Sequence, residues 1–97
     1  MPRKLRHEDK KMATRRNEME IIADILEEAL QPRNRTRLMY RTNLSFFQAN
    51  RYFRRLLETG LIAKVNGSNK ELAYYRTTEK GESLLRILDR AQEFLNA

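Results

Sequence analysis

Residues 45–76 read SFFQANRYFRRLLETGLIAKVNGSNKELAYYR, and two different periods lie in this one stretch. Up to Gly60 the apolar residues Phe46, Ala49, Tyr52, Phe53, Leu56 and Leu57 recur every three or four positions. That spacing predicts a helix over 46–59 with one face turned to a core. Ser45 stands just ahead of it, with a hydroxyl suited to accept from an amide of the first turn. Gly60 suits the left-handed conformation that closes a helix. Beyond Gly60 the period changes. Leu61-Ile62-Ala63-Lys64-Val65 and Leu72-Ala73-Tyr74-Tyr75-Arg76 predict two strands, joined by the polar turn Asn66-Gly67-Ser68-Asn69-Lys70. Together they form a β-hairpin over 61–76.

Working outward, Ile21, Ile22, Ile25, Leu26, Ala29 and Leu30 predict an amphipathic helix from Glu18 to Leu30. Asn17 with Glu20 three residues later is its capping pair, and Pro32 stops it. Arg33-Asn34-Arg35-Thr36 reads as a polar turn. A short helix over Arg35–Arg41 follows, with Asn34 as a cap and Leu38 and Met39 inward. After the hairpin, Thr77 or Thr78 opens a last helix lined by Leu84, Leu85, Ile87, Leu88, Ala91, Phe94 and Leu95. Tyr40, Phe46, Tyr52, Phe53 and Tyr74 stand at core-compatible spacings, with Tyr75 as the outward member of its pair. The order helix-helix-helix-hairpin-helix, mainly α with a small β-hairpin wing, is that of a winged helix-turn-helix. One domain spans 17–97, and its last helix covers about 78–97.

Charge is divided along the 97 residues, which carry +7 overall with a pI of about 10.1. Residues 1–16 hold seven bases against two acids, a net +5. They read as a flexible basic arm, serving either to touch phosphate or a groove or to keep the chain soluble. Residues 17–31 hold five acids and no base, −5, and this acidic helix is expected to face away from any polyanion. Residues 32–76 hold ten bases against two acids, +8, more than the whole chain. Arginine supplies 14 of the 20 positive charges, a bias toward the planar fork that pairs with phosphate. There is no cysteine and a single histidine, His7, so no thiol chemistry and no Cys or His metal cluster is available. No cofactor and no small-molecule ligand are expected. No apolar run approaches the roughly 18 residues of a membrane helix. The acids of the first helix have no His, Cys or nucleophile arrangement beside them, which argues against an enzyme.

A positive face confined to one part of a fold is the footprint of a nucleic-acid binder, and double-stranded DNA is the expected partner. The helix at 46–59 is the one suited to the major groove. Its outward residues Phe47, Gln48, Asn50 and Arg51 are candidates for base contact, Phe47 against a thymine methyl. Arg54 and Arg55, with Arg35, Arg37 and Arg41 of the preceding helix, are candidates for phosphate contact. Lys64, Asn66, Ser68 and Lys70 form the wing beside the backbone. On the last helix Leu84, Ile87, Leu88, Ala91, Phe94 and Leu95 give a broader apolar face than one small domain covers, so a homodimer interface is expected from Leu88 onward.

Several stretches resemble the small archaeal winged-helix DNA-binding proteins of the Sulfolobus chromatin-associated type. They are Glu20-Ile21-Ile22-Ala23-Asp24-Ile25-Leu26, Thr36-Arg37-Leu38-Met39-Tyr40, Asn43-Leu44-Ser45 with Tyr52, Leu56-Leu57-Glu58-Thr59-Gly60-Leu61-Ile62 and Thr78-Glu79-Lys80-Gly81. The resemblance implies a homodimer on double-stranded DNA, in the cytoplasm of an archaeon or, for a viral protein, of its host. It also implies a Thr-x-Lys-Gly entry into the last helix and pairing of that helix between subunits. The residues favour a transcription regulator that reads the major groove, because Gln48 and Asn50 can recognise bases. The alternative is a chromatin or architectural protein with little sequence preference. A winged helix serving protein contacts alone would not require the +8 segment.

Overall fold

Capping chemistry sets the end of each helix in the computed structural model, which describes residues 17–65 and 73–96. The basic arm at 1–16, the wing-tip residues Asn66, Ser68 and Lys70, and Leu72 lie outside the described residues. Helix α1 spans Glu18–Glu28. The Glu20 amide donates to Asn17 Oδ1 at 2.8 Å, and the Asn17 amide donates back to Glu20 Oε1 at 3.2 Å. Strand β1, Arg33–Asn34, leads into α2, Arg35–Arg41, where Asn34 Oδ1 accepts from the Arg37 amide. Helix α3, Phe46–Glu58, has a second reciprocal cap between Ser45 and Gln48. Strands β2, Ile62–Val65, and β3, Tyr74–Thr77, precede α4, Glu79–Asn96.

The same closing turn ends both α2 and α3. After α2 the Leu44 amide donates to Met39 O and the Asn43 amide to Tyr40 O, with Asn43 at φ +58°. After α3 the Leu61 amide donates to Leu56 O and the Gly60 amide to Leu57 O, with Gly60 at φ +76°. Each turn satisfies the last carbonyls of its helix through one residue in the left-handed region. Thr42, buried in the first turn, donates its hydroxyl to Leu38 O at 2.6 Å, so the tight link between α2 and α3 leaves no buried hydroxyl unpaired there.

The core is the inner face of these elements. Ile21, Ile22, Ile25 and Leu26 of α1 meet Leu38 of α2, Ala49, Phe53 and Leu56 of α3, Ile62 of β2 and Leu85 of α4. The three strands form an antiparallel sheet in the order β1-β3-β2. Ile62 pairs with Thr77 and Lys64 with Tyr75 in one ladder, and Arg33 pairs with Tyr75 in the other. Buried Thr77 fastens the sheet to α1: its amide donates to Ala29 O at 2.8 Å and its hydroxyl to Leu26 O at 2.7 Å.

Thr78 settles the entry to α4. Its hydroxyl accepts from the Gly81 amide at 3.1 Å and donates to Gly60 O at 2.6 Å. Lys80 reaches Thr59 O at 2.6 Å. A Cβ on buried Gly81 would collide with the Leu61 carbonyl oxygen and lie 2.6 Å from Thr77 Cγ2. Thr78, Lys80 and Gly81 therefore make one joint that presses α4 onto the turn after α3.

Four sequence expectations are corrected. Arg33–Asn34 is a strand rather than a turn, because both residues complete the ladder along β3. Phe46 is exposed, since it is the first residue of α3 and lies beyond the end of the buried row Ala49-Phe53-Leu56. Tyr40 is 77% exposed: it stands two positions past buried Leu38, and two helical steps turn a side chain to the opposite face. Tyr75, expected outward, shares the sheet face of buried Ile62 and Thr77 and packs on the core, while Tyr74 takes the other face.

Candidate nucleic-acid interface

Helix α3 carries the same spacing twice. Ala49, Phe53 and Leu56 are buried, and Phe47, Arg51 and Arg54 are exposed. The second set leads the first by two residues, a turn of about 200°, which places it on the side of the helix opposite the core. Arg51 and Arg54 form no ion pair among the described residues, and their guanidinium groups stand in solvent. Phe47 lies between them and the helix start, 72% exposed.

Gln48, Asn50 and Arg55 are engaged with the protein itself. Gln48 Oε1 accepts from the Ser45 amide at 3.2 Å as part of the cap. Asn50 Oδ1 accepts from Arg35 Nη1 at 3.2 Å. Arg35 also stacks its guanidinium over two rings, with Cζ 5.4 Å from the Phe53 centroid and 5.8 Å from that of Tyr75. Arg35 thus joins α2 to α3 and to β3. Arg55 Nη1 pairs with Glu18 Oε1 at 2.8 Å, and Arg41 Nε with Glu28 Oε1 at 3.5 Å, so acids of α1 partly neutralise both.

Beside α2 an open groove is lined by Arg35, Arg37, Tyr40 and Arg41 on one wall and by Ala73 and Tyr75 on the other. Arg37 is exposed there. On the wing, Lys64 is exposed and pairs with Tyr75, so it shares the sheet face on which Arg35 stacks. Asn66, Ser68 and Lys70 lie outside the described residues. Phe47, Arg51 and Arg54 thus share one side of α3, while Arg41 and Arg55 are paired with acids of α1.

Sequence reasoning passed over three residues here. Arg33 is half-buried on β1, and its Nε is buried without a hydrogen-bond partner. Arg76 is exposed on the opposite sheet face from Lys64, opposite Ala63. Phe46 joins Phe47 at the tip of α3, 69% exposed. The signal for Phe46 was its place directly after the cap. A two-residue strand leaves no periodic signal from which Arg33 could have been placed.

Among the described residues no group of three or more His, Cys, Asp or Glu could hold a metal ion, and no helix is long and apolar enough to cross a membrane. A short helix pair closed by a left-handed turn, a small antiparallel sheet and an exposed cationic stripe on the second helix define a winged helix-turn-helix. The chain belongs to the winged helix-turn-helix family, whose model matches residues 15–96. Its fold is similar to that of Sso10a-2, a DNA-binding protein from Sulfolobus solfataricus. The TM-score is 0.74 at 25% identity, covering 84% of this chain and 83% of that one. It is also similar to the transcriptional regulator BldR from the same organism, with a TM-score of 0.70 at 19% identity, over 77% of this chain and 55% of that one. A PadR family transcriptional regulator from Eggerthella lenta is similar at a TM-score of 0.63 and 26% identity, over 77% and 73%. None of these three names denotes an enzyme. No curated protein matches the chain.

Proposed function

We propose that this protein binds double-stranded DNA as a chromatin or architectural protein, holding the duplex mainly through its phosphates. The observation that carries the reading is the division of roles on α3. Arg51 and Arg54 are exposed and form no ion pair among the described residues, while the side-chain carbonyls of Gln48 and Asn50 are occupied within the protein. Reading adenine requires an amide to accept from N6 and donate to N7 together, and Gln48 and Asn50 would have to share or give up an intramolecular bond to do so. Arginine on phosphate needs no base code and gives affinity that falls steeply with salt. The likeness to a DNA-binding protein of similar length supports the same partner. Arg37, Lys64 and the basic wing extend the phosphate contacts, and Arg41 and Arg55 contribute less because Glu28 and Glu18 pair with them.

A transcription regulator is the second reading, favoured by exposed Arg51 in the N-terminal half of α3, where a guanidinium can reach guanine O6 and N7. Selection of bound sequences from a random duplex pool at two salt concentrations separates them. A pool without a fixed motif, at most biased in overall base composition, and a steep salt slope are expected; an enriched motif of fixed positions that survives high salt would make the regulator the better account.

A homodimer belongs to the same reading. Ile87, Phe94 and Leu95 of α4 are exposed, the last two at 78% and 82%. Leu84, Leu85 and Leu88 pack inward on the core, which narrows the expected interface to the distal half of the helix. There Ala91 and Leu95 line a groove with Met19 and Ala23 of α1, open to a second copy of the chain.

A further inference from the structure

We infer that Phe47, flanked by Phe46, reads the 5-methyl groups of thymine in the major groove, so that this protein's base preference is apolar rather than hydrogen-bonded. The inference rests on the proposed binding of duplex DNA and adds to it a ligand feature and a residue. Phe47 is not overflow from the core. It stands on the side of α3 opposite Ala49, Phe53 and Leu56, in line with Arg51 and Arg54, and is 72% exposed. Phe46 adds a second ring, 69% exposed, at the same helix tip.

An apolar tip followed along the helix by two guanidinium groups asks for a partner that is apolar at its centre and anionic at its rim. The major groove of an A·T-rich duplex is such a surface, because thymine places a methyl group on the groove floor between two phosphate strands. The polar side chains beside the tip are already engaged within the protein and less ready to read a base. Gln48 Oε1 is held by the Ser45 amide and Asn50 Oδ1 by Arg35. The exposed surface on the side of α3 opposite the core is the Phe47 ring with the guanidinium groups of Arg51 and Arg54. Guanidinium groups held on phosphates do not distinguish one base pair from another, so with Arg51 and Arg54 on the backbone the discrimination falls to the ring.

The test compares full-length protein on two duplexes of one A·T-rich sequence, one with thymine and one with uracil throughout, which removes only the methyl groups. Burying one methyl is worth about fourfold in affinity. The wild-type protein is expected to bind the uracil duplex more weakly by that factor for each methyl contacted. In Phe47→Ala the difference should vanish, whereas Arg51→Ala should weaken binding to both duplexes and keep it. A G·C-rich duplex should gain affinity when its cytosines carry a 5-methyl group, which occupies the same place in the groove. Equal wild-type affinity for the thymine and uracil duplexes would overturn the inference and leave the DNA-binding reading intact. So would a Phe47→Ala protein that keeps the difference, or one that changes only oligomeric mass, which would make the tip a protein contact. Failure of the wild-type protein to bind either duplex would overturn both.

Discussion

The side chain of Arg35 shows how little a residue's type says about its task. From composition it is one more phosphate-binding guanidinium. In the structure it is held by Asn50 Oδ1 and by the faces of Phe53 and Tyr75. We expect Arg35→Ala to lower stability by about 0.5–1 kcal/mol, the worth of a cation–π contact near the surface, measurable in a urea melt. An unchanged midpoint would show that the stacking contributes nothing. Arg54 is the contrasting case, exposed on the side of α3 opposite the core. Arg54→Ala should reduce the slope of log affinity against log salt by about one, and Arg55→Ala by less, since Glu18 already offsets that charge. Equal changes in slope would mean that the ion pair opens when DNA binds.

At the scale of elements, the joint at α4 is the sharpest case of geometry dictating a residue. Gly81 is buried where any side chain would meet the Leu61 carbonyl and the Thr77 methyl. Gly81→Ala should cost about 1–3 kcal/mol, the usual penalty for overpacking, and should be read as a lowered melting temperature. Retention of full stability would mean that α4 can shift without loss. Nothing local to the sequence foretold this: periodicity covered Leu84 and Leu88 but passed over Gly81, which only the family resemblance picked out. Helices α1 and α3 were legible because apolar stripes and capping pairs agreed over many residues. The phase of Tyr74 and Tyr75 was not legible, because alternation in so short a strand defines two faces without saying which one is inner. That choice came from Thr77, whose two hydrogen bonds to α1 turn it and Tyr75 inward together. The engagement of Asn50 was equally hidden, since it depends on where Arg35 sits, whereas that of Gln48 lay in the Ser45-x-x-Gln48 spacing of a capping box.

For the molecule as a whole, the proposed homodimer rests on the exposed apolar residues in the distal half of α4. Phe94→Glu places a charge on an exposed residue that supports no part of the core, and should leave the fold intact while halving the mass seen by light scattering. Leu88→Glu is the poorer test because Leu88 packs against the core. An unchanged mass for Phe94→Glu, with the wild type dimeric, would place the interface elsewhere.

The acidic helix has a consequence for how this protein meets its partner. Helix α1 lies on the core side of α3, behind the arginine stripe, and its acids reach forward to pair with Arg55 and Arg41 at the margins. Among the described residues, exposed arginines on one side of α3 and the acids of α1 on the other make an electric dipole in a chain that is also a net cation. In the field of a polyanion a dipole feels a torque before there is any contact. A molecule drifting toward a duplex is thus turned face-on during approach, and fewer of its collisions are wasted.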